Sequence, residues 1–407
     1  MKIKKFLLST FILITMILML TGCLERIEIN KIGIVAALGI DKTDDGYIVT
    51  AQILNPSAIT GERGNSLPVY NFKSEGLSIH EAYRKLDQIT TSALALSHLN
   101  IIVVDEKFAK DGIAPILNFA LRRDDIRPDI TILVAKDATA NEILSVVTPL
   151  DMIPATQIDV AQFIDTHTAR LTNYNLYEIV DMVNPKSSNV VLNAVSIYHA
   201  EDEKSEKDVE KDVKKGKDIG ATTDNLNNIK APVQLRIEHL AAFQGDKLVG
   251  FLNTSEAQLY NIVQGTYKRY DIVTRIGEDY YTSLRVTELK SKITTNLANN
   301  EATISMKMKG IIQENTYPAD FTNQDNLDAV AAYLKAHLES EMETFVAKIQ
   351  GDLKSDIFGI GVKAYTQEKK LWKEITGYWE EMFPNLDIKL EIELEINSVG
   401  EIGNVTL

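Results

Sequence analysis

What most limits the folding of this chain is where its apolar residues are concentrated. Residues 6–20 form one apolar run behind a basic head of Lys2, Lys4 and Lys5, about the length that the core of a secretory leader requires. A membrane-spanning helix needs about 20 apolar residues and usually more. This run instead gives way to Thr21 and Gly22 and then to Glu25, Arg26 and Glu28. Later apolar stretches such as 100–104 and 130–135 are strand-sized. Residues 1–22 are therefore expected to be a leader that is removed, and the rest of the chain has to fold as a water-exposed body.

Leu20, Thr21 and Gly22 lead into Cys23, the only cysteine of the 407 residues. This tetrapeptide resembles a lipobox, in which small residues let the backbone lie flat in the lipoprotein signal peptidase while the thiolate receives diacylglycerol. A lone cysteine forms no internal disulfide, and with no histidine beside it Cys23 makes a poor nucleophile. Lipidation is the remaining reading. Each buried methylene contributes about 0.8 kcal/mol, so two acyl chains hold a protein durably where one holds it reversibly. Loss of the leader removes three lysines and no acid, which takes the formal charge from −14 to −17. Anionic headgroups repel such a body, so the tether has to be hydrophobic.

The length suggests two or three domains, and 45% hydrophobic with 25% charged residues are ordinary globular values. The acidic balance argues against nucleic acid, and no basic patch interleaved with aromatics occurs. Exported domains of this size fold without disulfides.

Along the chain, 32–40 reads as a buried strand, Asp44-Asp45-Gly46 as a hairpin turn and 47–54 as the returning strand. Residues 66–72 read as extended, and Ser78 is an N-cap candidate for a helix through Ala82, Leu86 and Ile89. Strand 100–104, helix 108–121 and strand 129–135 come next, an alternation that favours a partly parallel α/β sheet. Further helices are expected at 140–147 and 174–182, and a strand at 189–198. From 201 to 218 nearly every residue is charged with both signs mixed, and Asn and Thr take over up to 228; such a stretch is expected to be a disordered loop. Strands 233–243 and 248–252 flank the turn Gly245-Asp246, and 284–295 with 302–313 form a hairpin-like pair. Leu327, Val330, Leu334, Leu338, Met342, Phe345 and Ile349 then recur at helical spacing. Gly359 and Gly361 are expected to stop that helix. A second amphipathic helix carries Trp372, Ile375, Trp379, Met382 and Phe383, and 386–396 alternates as a half-exposed strand.

The sequence offers little for catalysis. Asp41, Asp44 and Asp45 lack the spacing of an EF-hand, and the twelfth position is Gln52. The six histidines, His80, His98, His167, His199, His239 and His337, are scattered. Gly359-Ile360-Gly361 lacks the third glycine of a dinucleotide fingerprint, and no Gly-x-Ser-x-Gly elbow occurs. No enzyme, metal or cofactor is expected beyond covalent diacylglycerol and acyl lipid on Cys23. Trp372 and Trp379, seven apart on one helical face, read as core before they read as a partner-binding face. Arg122-Arg123-Asp124 reads as a helix C-terminus that complements the dipole.

Several stretches together resemble the Ger(x)C spore germination lipoproteins, the C subunits of nutrient germinant receptors. They are Ile29-Asn30-Lys31-Ile32-Gly33-Ile34-Val35-Ala36-Ala37-Leu38-Gly39-Ile40-Asp41, Leu96-Ser97-His98-Leu99-Asn100-Ile101-Ile102-Val103-Val104, and Arg122-Arg123-Asp124-Asp125-Ile126-Arg127. Ala242 onward through Gly245, Asp246 and Leu252, Lys354-Ser355-Asp356-Ile357-Phe358-Gly359-Ile360-Gly361, and the Trp372–Phe383 region continue the match. The resemblance implies an α+β protein of three mixed α/β domains, with twisted sheets and packed helices, after a cleaved lipoprotein signal peptide. The divisions expected are 1–22, 23–145, 146–264 with its loop at 201–230, and 265–407. It further implies a non-enzymatic subunit, lipid-anchored to the outer face of the spore inner membrane beside an A subunit and a permease-like B subunit. Leu24-Glu25-Arg26 departs from the tryptophan that many relatives place there, and the charged loop is longer than usual. The rival expectation is a solute-binding lipoprotein that delivers a nutrient to a transporter; against it, such proteins have two similar α/β lobes.

Overall fold

The structure is a computed structural model that describes residues 32–59, 67–90, 92–147, 151–164, 169–183, 188–199, 233–267, 269–318, 321 and 323–398, with scattered positions between 3 and 15. Leu20, Thr21, Gly22, Cys23 and the charged stretch 201–230 lie outside the described residues.

The first described strand is β1 (Ile32–Lys42), whose apolar run is buried on both faces; the chain returns through β2 (Tyr47–Leu54) and β3 (Val69–Gly76). Ser78 caps α1 (Ile79–Ile89), its hydroxyl accepting from the Glu81 N–H, which supplies one of the acceptors that a helix start lacks. The short β4 (Ala93–Ala95) and then β5 (Ile101–Asp105) run parallel to β1. The helix expected at 108–121 is two, α2 (Glu106–Asp111) and α3 (Ala114–Leu121). Gly112 separates them at φ +133, and a Cβ there would stand 2.6 Å from Asp246 Oδ2, so only glycine fits the break.

After β6 (Thr131–Ala135) come α4 (Ala140–Ile143), α5 (Pro154–Ile164) and α6 (Leu176–Val183), then β7 (Val191–His199), β8 (Val233–Gln244) and β9 (Lys247–Leu252). All nine strands make one sheet, in the order β3-β2-β1-β5-β6-β7-β8-β9 with β4 beside β1. Its centre, β1, β5, β6 and β7, is parallel and its flanks are antiparallel. Side chains of α1, α2, α3 and α6 pack on one face, and those of α4 and α5 on the other. Coverage on both sides is the condition under which parallel strands read as unbroken apolar runs. The pairing of β6 with β7 crosses residue 145, so the strands divide between two sheets and do not break at the expected 145/146 division.

The second sheet is smaller. Helix α7 (Thr254–Gln264), with a capping box from Asn253 and Glu256, leads to β10 (Tyr270–Ile276), β11 (Tyr280–Asn296) and β12 (Glu301–Asn315). Helix α8 (Gln324–Gly351) lays Leu327, Val330, Leu334, Leu338, Met342, Phe345 and Ile349 into the same core as Ile304, Met306 and Ile392. That helix ends at Gly351, not at Gly359. Gly359, at φ +74, instead opens α9 (Ile360–Gln367). The expected second amphipathic helix is broken into α10 (Lys369–Ile375), short 3-10 turns and the single turn Trp379–Met382. The chain then returns as β13 (Asp387–Ser398), parallel to β12, in the order β10-β11-β12-β13. Among the described residues no helix is long and apolar enough to cross a membrane.

Candidate functional site

The motifs singled out in the sequence fall at three places, and at each the residues hold elements together. The first is the carboxyl end of the parallel strands. Asp41, at the end of β1, accepts from the backbone N–H of Ala140 (2.6 Å) and Asn141 (3.2 Å) and so caps α4 across the sheet. Asp105, at the end of β5, accepts from Phe108 N (2.7 Å) and from Lys42 N (3.3 and 3.2 Å to its two oxygens). Burial pushes the Asp41 carboxyl up to about 6, and raises Asp105 as well, because removal from water disfavours the charged form. Asp44, by contrast, sits at the surface against Lys107 (2.6 Å), which lowers its titration. The Asp41-Asp44-Asp45 group is thus a cap and a turn. Among the described residues no three His, Cys, Asp or Glu side chains converge as metal ligands would.

The second place is the turn Gly245-Asp246. The Asp246 carbonyl accepts from Ile113 N (2.9 Å) and its carboxylate from Ala114 N (3.4 Å), at the break between α2 and α3. Gly245 N donates to Asn189 Oδ1 (3.0 Å).

The third place is the segment 353–361, which lies between the sheets. Ser355 Oγ donates to the Phe243 carbonyl of β8 (2.5 Å), Asn189 N donates to the Asp356 carbonyl (3.2 Å), and Gln264 of α7 donates to the carbonyls of Ile357 and Phe358 (3.3 Å each). The buried Asp356 carboxylate accepts from Ile360 N (2.9 Å), Gly361 N (2.7 Å) and Trp379 Nε1 (3.1 Å). Its pKa is raised by burial against the pull of those donors. Trp379 stacks edge-on against Trp372 at 5.1 Å, and Trp372 is buried. A Cβ on Gly361 would lie 2.7 Å from the Trp372 ring. The tryptophan pair is therefore core, and the glycines of this stretch exist for backbone shape and close approach.

One open cavity of about 680 Å³ lies between the start of α1 and the end of α3, walled by Tyr47, Leu77, His80, Phe119, Arg122 and Asp124 among others. Arg122 donates to Asn118 Oδ1 (2.8 Å), and Arg123 is forked onto Asp125 (2.8 and 2.7 Å) and stacked over Tyr83 and Phe119. Ser78 spends its hydroxyl on the helix cap.

Residues 25–197 match the family model described as the spore germination protein N-terminal domain, and 238–400 match that of the spore germination B3/GerAC-like C-terminal domain. The chain belongs to the Ger(x)C family. Spore germination protein KC of Bacillus subtilis (strain 168) is 27% identical over 418 residues, covering 99% of this chain and 98% of that protein. Spore germination protein B3 of the same organism is 25% identical over 393 residues, covering 95% and 96%. The crystal structure of the GerBC protein superimposes with a TM-score of 0.52 at 20% identity, over 88% of this chain and 96% of that one, and shares its fold. In this Ger(x)C protein the two matched regions are joined by the β7–β8 ladder and by the contacts of 243–246 and 353–361. Sequence reasoning found these stretches by resemblance. It did not find that Asp356 closes on Trp379, since partners 23 residues apart carry no local signal.

Proposed function

We propose that this Ger(x)C protein is the non-enzymatic, lipid-anchored subunit of a nutrient germinant receptor. Diacylglycerol and acyl chains on Cys23 hold it at the outer face of the spore inner membrane, beside an A subunit and a permease-like B subunit, and it acts through its surfaces. The observation that carries this reading is the collinear match to both halves of the family, in order, over nearly the whole chain. The solute-binding alternative finds no support among the relatives. The lone cysteine behind the leader supports the anchor.

The test has two arms. Spores without this chain should respond poorly to at least one germinant in a panel of amino acids, sugars and nucleosides, and Cys23→Ala should restore that response only weakly. In cells expressing the protein, Cys23→Ala should lose incorporation of labelled palmitate and leave the membrane fraction. Wild-type germination of the deletion on every nutrient would overturn the receptor role, and a Cys23→Ala protein that stays in the membrane would overturn the lipid tether.

A further inference from the structure

The second sheet ends on two unlike edges. Strand β13 carries Lys389, Glu391, Glu393 and Glu395, and its pairing with β12 shifts register at Gly310/Ile311. Charges and irregularities of that kind keep foreign strands away. Strand β10 is less guarded, with one acid and one base, Asp271 and Arg275. It pairs with β11 without a shift from Tyr270↔Val286 to Ile276↔Tyr280, contains neither lysine nor proline, and presents Val273 at its middle, 67% exposed.

The open edge can be assigned residue by residue. Gln258 of α7 donates from Nε2 to the Asp271 carbonyl (2.9 Å), so Asp271 turns its backbone groups away from β11. In an antiparallel pair, successive residues alternate between facing the neighbour and facing away. Val273 and Arg275 therefore present their N–H and C=O on the same edge, which no strand pairs among the described residues. The side chains of Asp271, Val273 and Arg275 also share one face, by the twofold period of a strand.

We propose that β10 pairs antiparallel with β10 of a second copy of this chain, about a twofold axis through Val273, which joins the two small sheets into one. The charge pattern selects that occupant. With Val273 opposite its own mate, Asp271 lies opposite Arg275 of the other copy, and Arg275 opposite Asp271. One acid and one base, each two residues from the axis, satisfy both halves of such an interface. Asp271 already meets Arg285 of the same chain at 2.8 and 3.1 Å, and Arg275 forms no ion pair among the described residues. Pairing places the Asp271 carboxylate between two guanidiniums. As the mate arrives, a backbone bond from its strand replaces the Gln258 bond to the Asp271 carbonyl.

Mild oxidation of membranes from cells expressing full-length V273C provides the test. Backbone-paired residues lie with Cα atoms about 5.5 Å apart, within the roughly 4.4–6.8 Å that a disulfide spans. Val273 is exposed, so the variant keeps the fold. Wild type, whose only cysteine is Cys23, sets the background, and K307C on the exposed face of β12 is the control for random collision. The expected result is that most V273C migrates at twice the mass of the reduced protein and reverts with reductant, while K307C stays at background. Adding R275D should remove the crosslink. A V273C protein that crosslinks no better than K307C, or that crosslinks to a protein of another mass, overturns the proposal.

Discussion

The two sheets solve the same burial problem in opposite ways. The first is covered on both faces. Leu38 and Ile102 point to one set of helices and Ala37, Ile101 and Val103 to the other, all inaccessible. The second is covered on one face by α8, and its outer face is a ladder of charges, with Lys307 against Glu393 (2.8 Å), Lys309 against Glu395 (3.0 Å) and Lys389 against Glu301 (2.7 Å). Coverage, more than strand content, decides whether a strand tolerates change. The central strands of the first sheet are apolar on both sides apart from buried polar residues whose groups are bonded, such as Asp41, Asp105 and Asn193, whereas those of the second carry opposed charges on their outer face alone.

This contrast can be broken at graded strength, with stability read from guanidinium chloride unfolding. Ile102→Ala removes a fully buried side chain from the most enclosed strand and should cost about 3–5 kcal/mol; a loss below about 1 kcal/mol would mean that the second layer of helices adds little. Asp356→Ala strands the N–H groups of Ile360 and Gly361 and the Trp379 indole in a buried joint, and should cost about 2–4 kcal/mol. An unshifted unfolding midpoint would show that those donors find other partners.

A subtler expectation concerns Asp41. Its folded pKa of about 6 lies above the 3.8 of a free aspartate, so the folded state holds the proton more tightly. The group's contribution is then fully present below about pH 4 and is lost as pH rises towards 6, and stability should decline over that window. Asp41→Asn keeps an oxygen for the Ala140 N–H and removes the titration. The decline should flatten in the variant, and an identical pH profile would place the titrating group elsewhere. The smallest effect belongs to the ladder. Lys307→Ala or Glu393→Ala should leave the unfolding midpoint at the wild-type value, since exposed pairs contribute little; a clear shift would mean that the outer face is covered.

Much of this architecture was legible because periodicity is a local signal. The β1–β2 hairpin, α1 with its Ser78 cap, α8 with its buried stripe and β13 with its alternation all stand where spacing puts them. The misreadings came where a residue answers to something distant. Gly112 breaks the 106–121 stretch because Asp246 lies against it, and Gly359 begins a helix because Asp356 accepts from its first amides. Sheet continuity from β6 to β7 is equally illegible, since parallel neighbours 56 or more residues apart share no local pattern. Cys23 and its lipobox, the residues chosen from sequence for chemistry, precede the first described strand, while Asp41, the tryptophans and the glycine pair, read from sequence as turn, core and helix stop, serve capping, packing and a helix start.

The position of β1 has a mechanical side. The first described strand begins at Ile32, and β1 is hydrogen-bonded to β2 from Val35 to Lys42 on one side and to β4 and β5 on the other. A pull on the chain ahead of Ile32 runs parallel to those ladders and loads them in shear, so many bonds resist together instead of opening one by one. Load entering at Ile32 is therefore shared by the ladders at the parallel centre of the large sheet.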